Sequence, residues 1–485
     1  MNKLRNINAL LLASCIIALP VSADAASLLE IYQQALQSDP QIHEAEARRL
    51  AALEAKPQAR SAYLPQLSLS GDYSMTENSG PTFFQPDLTQ PRIEAERTIE
   101  NDVMDWGITL TQTVFRWDTI VNLQRADKQI ARAEAVREAA QQDLIIRVAQ
   151  RYFDVLAAED RLTSIHADRT AIARSLEQAK QRFEVGLIAI TDVQESQAAY
   201  DQSVANEIDA KRQLATAREF LREITGEYVT ELSAPKEDFP LRRPDKSERD
   251  WVDMSLSQNL NLVASRLDEK LARDEISFRR SGHYPTLALT ARINDTDTDT
   301  DQTYDFIDPL TGQPASVSFS DSIPGESDGI FLSFNLPLFA GGGTSSRVRE
   351  AVYLHRASRE QLQRVTRETE RQSRDAYLGV LSEESRVKAL GQAVASSRTA
   401  LEATQAGFEV GTRTIVDVLN SQFSLYQAIT NYYQSRYNYI LNVLRLKQAA
   451  GTLQVQDLEE IDQFLMTRKT PEQMFAEEEA QNPGN

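Results

Sequence analysis

The sequence contains little cysteine, little histidine and comparatively few basic residues. Its 485 residues include one cysteine, four histidines, and 52 Lys and Arg against 71 Asp and Glu, which gives a net charge of −19. A single thiol excludes a disulfide framework within the chain, and the histidines lack the spacing of metal ligands. The excess of acid argues against nucleic-acid binding, which depends on basic surface. No nucleophile or metal motif is present, so we predict no enzyme and no cofactor.

Apolar runs long enough to cross a membrane as a helix are also absent. A shorter run, from Ala9 to Val21, follows two basic residues at the N-terminus and precedes a small-residue segment. This order is typical of a secretory signal peptide, with cleavage after Ala23 or Ala25. The alternative is a lipidated Cys15. The residues that follow Cys15 are apolar, however, whereas a mature lipoprotein usually begins with polar residues.

Proline is absent from two long segments, and each of them contains a copy of the same motif. No proline occurs over 92–234 or over 338–470. Residues 183–197 read FEVGLIAITDVQESQ, and residues 408–422, displaced by 225 positions, read FEVGTRTIVDVLNSQ. Because polar and alanine-rich sequence flanks both copies, we predict that they are the tips of two helical hairpins and that the function is located there.

Apolar residues before the first motif are spaced by three, four and seven positions, the pattern of helices that pack side by side. They are Leu144, Val148, Val155, Leu162, Ile165, Ile172, Leu176 and Phe183. A helix over 119–185 would be roughly 100 Å long and should project as a rod. Gly186 can end it. Thr191 with Gln194 fits a capping box for a return helix, which should run to about Gly226.

Period-two alternation predicts four strands, each with an apolar and a polar face. The alternating segments are 67–73, 108–114, 287–293 and 330–338. Strands of about ten residues suffice to cross a bilayer when tilted. We expect loops over 76–102, which contains three prolines, and over 294–328, which contains nine acids and no Lys or Arg. The acidic loop could bind divalent cations, but a solvated loop is the simpler interpretation.

The pattern of helix, two strands and long helical hairpin occurs twice. Residues of the first half recur in the second at offsets of 220 to 225 positions, and a proline-containing linker over 234–246 separates the halves. We predict a signal peptide over 1–23, a first repeat over 24–246, a second repeat over 247–470 and a disordered acidic tail over 471–485.

Four amphipathic strands cannot close a barrel, and lipid does not tolerate an open sheet edge. If the strands enter a membrane, the chain must oligomerise, with eight strands in a dimer, twelve in a trimer or sixteen in a tetramer. The helices would leave and return on the side opposite the loops, where the hairpins would surround a polar lumen. The predicted fold class is therefore α+β, and the predicted function is that of a conduit.

At the level of motifs, the sequence resembles the TolC family of outer-membrane efflux and export channels. The specific segments are 182–194, 410–419 and the RYNY of 436–439, and the resemblance covers nearly the whole chain after the signal peptide. It implies a homotrimer in the outer membrane of a Gram-negative bacterium. Each chain would supply four strands to a shared 12-stranded antiparallel transmembrane β-barrel, which continues into a long α-helical coiled-coil periplasmic tunnel.

The same resemblance implies the function and the partners. The channel would serve tripartite efflux pumps and type I secretion systems, exporting small molecules or proteins. Its partners would be a periplasmic adaptor (membrane-fusion) protein, an inner-membrane pump of the RND, MFS or ABC type, and outer-membrane lipid, with no nucleic acid. The lower end of the tunnel would open by an iris-like movement of the hairpin tips.

One carboxylate position at the tips is implied to line the tunnel entrance. Three copies of Asp417 around a narrow axis should repel one another, raise their pKa and attract cations. The family's second acidic position is Asn420 here. The resemblance therefore implies a weaker cation block than in relatives with two carboxylate rings.

Other tip residues are implied to hold the closed state together or to form the turns. The first group contains Thr191, Asp192, Gln181 and Arg413, whose guanidinium suits a directional latch with a carboxylate, and Phe408. The family often has tyrosine at the last position, so we expect one hydrogen bond fewer and a looser closed state. The turn residues are Gly186, Leu187, Gly411 and Thr412, either as docking sites for the adaptor or in a purely structural role.

The alternative function is that of a periplasmic coiled-coil scaffold or adaptor without membrane insertion. It would account for the heptads and the signal peptide. It leaves the four amphipathic strands and the duplicated strand–loop–strand unit without an explanation, so we prefer the channel.

Overall fold

The computed structural model describes residues 25–85, 91–229, 231–236 and 238–481. The predicted signal peptide and Cys15 lie outside the described residues. The first half contains α1 Leu28–Ser38, α2 Pro40–Leu53, α3 Ala55–Ser61, β1 Gln66–Phe84, β2 Ile93–Phe115, α4 Trp117–Glu184 and α5 Ile190–Thr225. The second contains β3 Ala234–Pro235, α6 Glu248–Gln258, α7 Leu260–Arg280, β4 Thr286–Ile307, β5 Pro314–Asn335, α8 Gly343–Glu409 and α9 Ile415–Ala449. The chain continues with α10 Val455–Asp462, β6 Leu465–Met466 and α11 Pro471–Gln481.

The four long strands form one antiparallel sheet in the order β1-β2-β4-β5. Leu67 pairs with Leu110, and Ile108 pairs with Ile293, so these side chains share one face of the sheet. Their neighbours in sequence, which include Ser68, Thr109 and Thr111, are mostly polar and share the other face. The alternation predicted from the sequence is therefore the alternation of this sheet.

The strands are about twice as long as predicted, with 19, 23, 22 and 22 residues. The loops expected over 76–102 and 294–328 are wrong, because both segments are mostly strand. Their acidic and threonine-rich sequence has no apolar face and so lacks the signal on which the prediction rested. Pro81 and Pro324 lie in β1 and β5, the outer strands of the sheet that one chain forms.

The contacts divide the chain into two compact units, and each unit takes segments from both repeats. One consists of residues up to 45, 137–260 and 367–485, and the other of residues 46–136 and 261–366. The second unit contains the sheet, in which β2 of the first repeat pairs with β4 of the second. The sequence repeats are therefore not separate compact domains.

The core of the first unit lies along the helices of the two hairpins. Leu144, Val148 and Leu162, which belong to the predicted heptad positions, are buried together with Ile440 and Leu444 of α9. The heptad pattern thus identified the packed face of α4 correctly. None of the helices in the described part of the chain is long and apolar enough to cross a membrane.

The predicted disordered tail is wrong for residues 471–481, which form α11. Glu472 forms an ion pair with Arg218 of α5 at 2.8 Å. The ring of Phe475 stacks on His166 of α4 at 3.7 Å between centroids. The acidic composition suggested disorder, but these two contacts attach the helix to the first hairpin.

Candidate functional site at the hairpin tips

The first hairpin turns at Gly186, between the end of α4 at Glu184 and the start of α5 at Ile190. Gly186 has a φ of 77°, and a Cβ atom at this position would meet nothing within 4 Å. The backbone conformation, and not the available space, therefore requires glycine. The Leu187 N–H donates to the carbonyl of Arg182 at 2.9 Å, which closes the end of the helix as in a Schellman motif.

The second hairpin repeats this backbone. Gly411 also has a φ of 77° and open space around a Cβ atom. The Thr412 N–H donates to the carbonyl of Gly407 at 2.8 Å. The two copies of the motif are thus the two turns, as the sequence predicts.

The two return helices begin differently. In α9 the Thr414 N–H donates to the Asp417 carboxylate at 2.9 Å, and the Asp417 N–H donates to the Thr414 hydroxyl at 3.3 Å, which makes a capping box. In α5 the N-cap is Ala189, which makes no side-chain cap. The capping box predicted for Thr191 and Gln194 is wrong, because Thr191 already lies inside α5.

The Asp417 carboxylate is bound by the start of its own helix. The backbone N–H of Thr414, followed by the Thr414 hydroxyl, holds the pKa of Asp417 below its usual range, and Arg413 acts in the same direction. Within one chain the pKa of Asp417 is therefore lowered, and the rise expected from repulsion between three copies stays a prediction for the trimer. That prediction considered only repulsion between copies and missed the donors that stabilise the ionised form.

The two tips of one chain meet through Arg182 and Phe408. The Arg182 guanidinium lies 4.7 Å from the centroid of the Phe408 ring, the geometry of a cation–π contact. From the sequence, Phe408 is notable only as a side chain without a hydroxyl. The structure gives it a partner from the other hairpin.

A comparison of the two copies shows why each tip has one arginine. At the offset of 225 positions, Arg182 corresponds to Gly407. A Cβ atom at Gly407 would lie 2.7 Å from Cγ of Arg413, so the missing side chain makes room for that arginine. The cation thus comes before the turn in the first hairpin and after it in the second. Arg413 was predicted as a site residue, whereas Arg182 and Gly407 were not, although the alignment of the two copies pairs them at unequal positions.

The remaining predicted latch residues do not come together within one chain. Gln181 donates to Glu177 at 3.0 Å in its own helix. Thr191 is exposed and Asp192 is half-buried. Arg413 is exposed and makes no ion pair in the described part of the chain. Asn420 is also exposed and lies on α9, one turn after Asp417.

A further carboxylate, Asp168, lies where the first hairpin packs against the second. Burial raises the pKa of Asp168 to about 6. Its Oδ1 atom is buried and has no hydrogen-bond partner among the described residues. Tyr426 of α9 is close enough that burial, and then the Asp168 charge, raise the pKa of its phenol. No motif or spacing in the sequence distinguishes Asp168 from other aspartates of the long helices.

The acidic residues of β4 do not form a metal centre. No group of three or more His, Cys, Asp or Glu side chains within the described ranges could hold a metal ion. Asp295, Asp297, Asp299 and Asp301 share one face of the strand, because alternate residues point to the same side. They continue the face that carries Ile293 nearer the start of β4.

Comparison with known proteins agrees with this geometry. The family of outer membrane efflux proteins matches residues 31–227 and 251–452. Outer membrane protein TolC of Vibrio cholerae serotype O1 is 37% identical over 446 residues, which cover 92% of this chain and 95% of the relative. The alkaline protease secretion protein AprF of Pseudomonas aeruginosa is 26% identical over 471 residues, 96% of this chain and 93% of the relative.

The fold is also that of solved channels. The crystal structure of the outer membrane protein VceC from Vibrio cholerae aligns with a TM-score of 0.68 and 19% identity, covering 87% of this chain and 96% of that chain. The family match and the 37% identity to an outer membrane protein favour the channel over a scaffold without membrane insertion. The chain belongs to the outer membrane efflux protein family, and it is an α+β channel of the outer membrane with a periplasmic tunnel, not an enzyme.

Proposed function

We propose that the chain forms a homotrimeric channel whose barrel contains twelve strands, four from each subunit. The observation that carries this proposal is the sheet. Within the described residues, β1 and β5 each pair on one side only. Lipid does not tolerate unpaired strand edges, so β1 of one subunit should pair with β5 of the next.

The membrane should contact only part of each strand. The apolar face extends over the segments that begin at Leu67 of β1 and Leu287 of β4 and changes to acidic residues at Asp295. Its length is the roughly ten residues that a tilted strand needs to cross a bilayer. The acidic continuation of the sheet would then stand outside the lipid.

We propose that the channel takes cargo from an inner-membrane pump of the RND, MFS or ABC type through a periplasmic adaptor. The relatives named TolC and AprF support export of small molecules and of secreted proteins. Gly186, Leu187, Gly411 and Thr412 would present the turns to the adaptor, because both turns are exposed. The linker over 234–246 would connect the first repeat to the second.

The tips would act as the gate. Asp417 and Asn420, on the first turns of α9, would face the threefold axis. Thr191, Asp192 and Gln181 of one subunit would meet Arg413 of its neighbour. This arrangement accounts for an Arg413 that is exposed and makes no ion pair within the described part of one chain.

The decisive experiment has two parts. Deletion of the gene, with complementation, should raise drug susceptibility and abolish secretion of a toxin-like protein, and no change in either would refute the export function. For the gate, Asn420→Asp should strengthen block of the purified trimer by divalent cations in planar bilayers, and Asp417→Asn should weaken it. Equal block in all three proteins would contradict the proposed ring.

A further inference from the structure

A cavity of about 560 Å³ lies beside the linker that joins the two repeats. One wall is the linker from Phe239 to Lys246, and Trp251, Met254, Val380 and Ile440 form apolar walls opposite it. Its volume falls within the roughly 300–1,000 Å³ of small-molecule sites. None of the hairpin-tip residues lines it.

The wall made by the linker is held in place. The Tyr439 hydroxyl accepts from the Arg242 N–H at 2.8 Å and donates to the Arg242 carbonyl at 2.6 Å. The ring of Phe239 packs edge-on against Phe464 at 5.6 Å between centroids. Because these walls are already ordered, little conformational entropy is lost when a ligand binds.

Trp251 forms part of the apolar wall of the cavity. The residue is 7% exposed, and its indole Nε1 is buried with no hydrogen-bond partner in the part of the chain that the structure describes. Because that nitrogen is buried, a ligand in the cavity would contact the apolar ring of Trp251 and not its N–H.

Two exposed cations, Arg242 and Lys246, lie at the mouth of the cavity and form no ion pair in the described part of the chain. Lys246 lies 5.8 Å from the Trp251 ring. Asp245 and Glu460 also line the cavity. Two further lining cations are paired: Arg243 binds Glu384 at 3.0 Å, and Lys447 binds Asp457. In a chain of net charge −19, cations at the mouth favour an anion.

We propose that this cavity is a binding site for an anionic amphiphile of drug-like size. The apolar body of the ligand occupies the chamber against the Trp251 ring, and the anionic head lies against Arg242 and Lys246. The ligand is either a single-chain acid released from membrane lipid or a compact amphiphile on its way out of the cell. Both kinds of ligand combine an apolar body with an anionic head.

The test uses the full-length trimer in amphipol without free detergent. In the double variant Trp106→Phe/Trp117→Phe, Trp251 is the remaining tryptophan, since the chain has three. We expect saturable energy transfer from Trp251 to 8-anilinonaphthalene-1-sulfonate. Arg242→Ala should weaken binding of this anionic probe several-fold and leave the neutral N-phenyl-1-naphthylamine unchanged, and Arg242→Lys should restore it. Arg249→Ala, an exposed arginine that does not line the cavity, is the matched control.

Two further measurements complete the test. Met254→Phe, which narrows the chamber without adding a second tryptophan, should weaken binding of both probes. Displacement by laurate but not cholate would identify a lipid-derived chain, and the reverse would identify a compact exported amphiphile. The proposal is overturned if energy transfer is absent, if Arg242→Ala and Arg249→Ala behave alike, or if neither competitor displaces the probe.

Discussion

The guanidinium of Arg182 and the ring of Phe408 connect the two hairpin tips of one chain at 4.7 Å. Where a tyrosine would offer a hydroxyl to a carboxylate, this chain offers a ring to a cation. The contact depends on a difference between the two copies of the motif. The position of Arg182 in the first copy is occupied by Gly407 in the second. The ring of Phe408 therefore joins the two tips without a hydroxyl.

Phe408→Leu should loosen the closed state of the channel. A cation–π contact at an exposed site contributes about 0.5–1 kcal/mol, so we expect a two- to fivefold rise in open probability in planar bilayers. Phe408→Tyr keeps the ring and should change opening little, beyond any gain from its hydroxyl. The control is Phe183→Leu, the same substitution in the first copy, where the ring makes no such contact within the described residues. Equal effects of the two leucine variants would contradict this role for Phe408.

The capping box of α9 should be measurable as protection of its first turn. Thr414→Ala removes the acceptor for the Asp417 N–H, and we expect amide hydrogen exchange in that turn to accelerate about fivefold, a typical N-cap effect. The variant also removes the hydroxyl that donates to the Asp417 carboxylate and keeps the backbone N–H donor, so Asp417 should titrate at a somewhat higher pH, which pH-dependent cation block would report.

The first hairpin provides the opposite substitution. Ala189→Thr, at the N-cap of α5, should create the missing capping box with Asp192 and slow exchange in the first turn of α5. If neither substitution changes exchange in its own turn, the caps do not stabilise the tips.

The sequence predicted the hairpins because their signals are local. Gly186 and Gly411 lie at positive φ, and the heptad that contains Leu144 and Val148 is the buried face of α4. The strand ends were missed because the signal for a strand is an apolar face, which β4 loses at Asp295. Beyond that point, pairing with β2 and β5 holds the strand, and pairing is not visible in a single segment.

The site was only partly predictable for a similar reason. Asp417 and Arg413 were identified, but the cap on Asp417 depends on Thr414, which one copy has and the other lacks. The contact of Arg182 with Phe408 joins residues more than two hundred positions apart. Hydrophobic periodicity and short motifs do not predict such a contact. The alignment of the two copies did show that the residues at Arg182 and Gly407 differ.

Asp168 should make the packing of the hairpins dependent on pH. Its pKa of about 6 lies above that of an unfolded aspartate, about 3.9. The folded state therefore binds the proton more tightly than the unfolded state. Protonated Asp168 makes its full contribution to stability below about pH 4, and this contribution is lost as the pH rises through 6. Asp168→Asn should raise the Tm at pH 8 and leave it nearly unchanged at pH 4. Asp209→Asn, at an exposed position of α5, is the control. An equal shift at both pH values would contradict the buried carboxylate as the cause.

Arg468, in the segment between β6 and α11, should be among the most sensitive positions for stability. Glu159 and Asp160 of α4 are 2% and 6% exposed, and Arg468 forms ion pairs with both. Burial raises the pKa of Asp160, and Arg468 is the strongest influence in the opposite direction. Arg468→Met would leave a buried carboxylate without its cation, which typically costs about 3–5 kcal/mol.

The measurement for Arg468→Met is the Tm of the trimer at pH 7. Adding Asp160→Asn should recover part of the loss, because it removes the charge that the arginine neutralised. Arg371→Met is the control, since Arg371 and Asp375 form an ion pair whose side chains are 63% and 60% exposed, and such pairs contribute at most about 1 kcal/mol. If Arg468→Met and Arg371→Met lower the Tm equally, or if Asp160→Asn deepens the loss, the charge cluster does not anchor the C-terminal segment to the first hairpin.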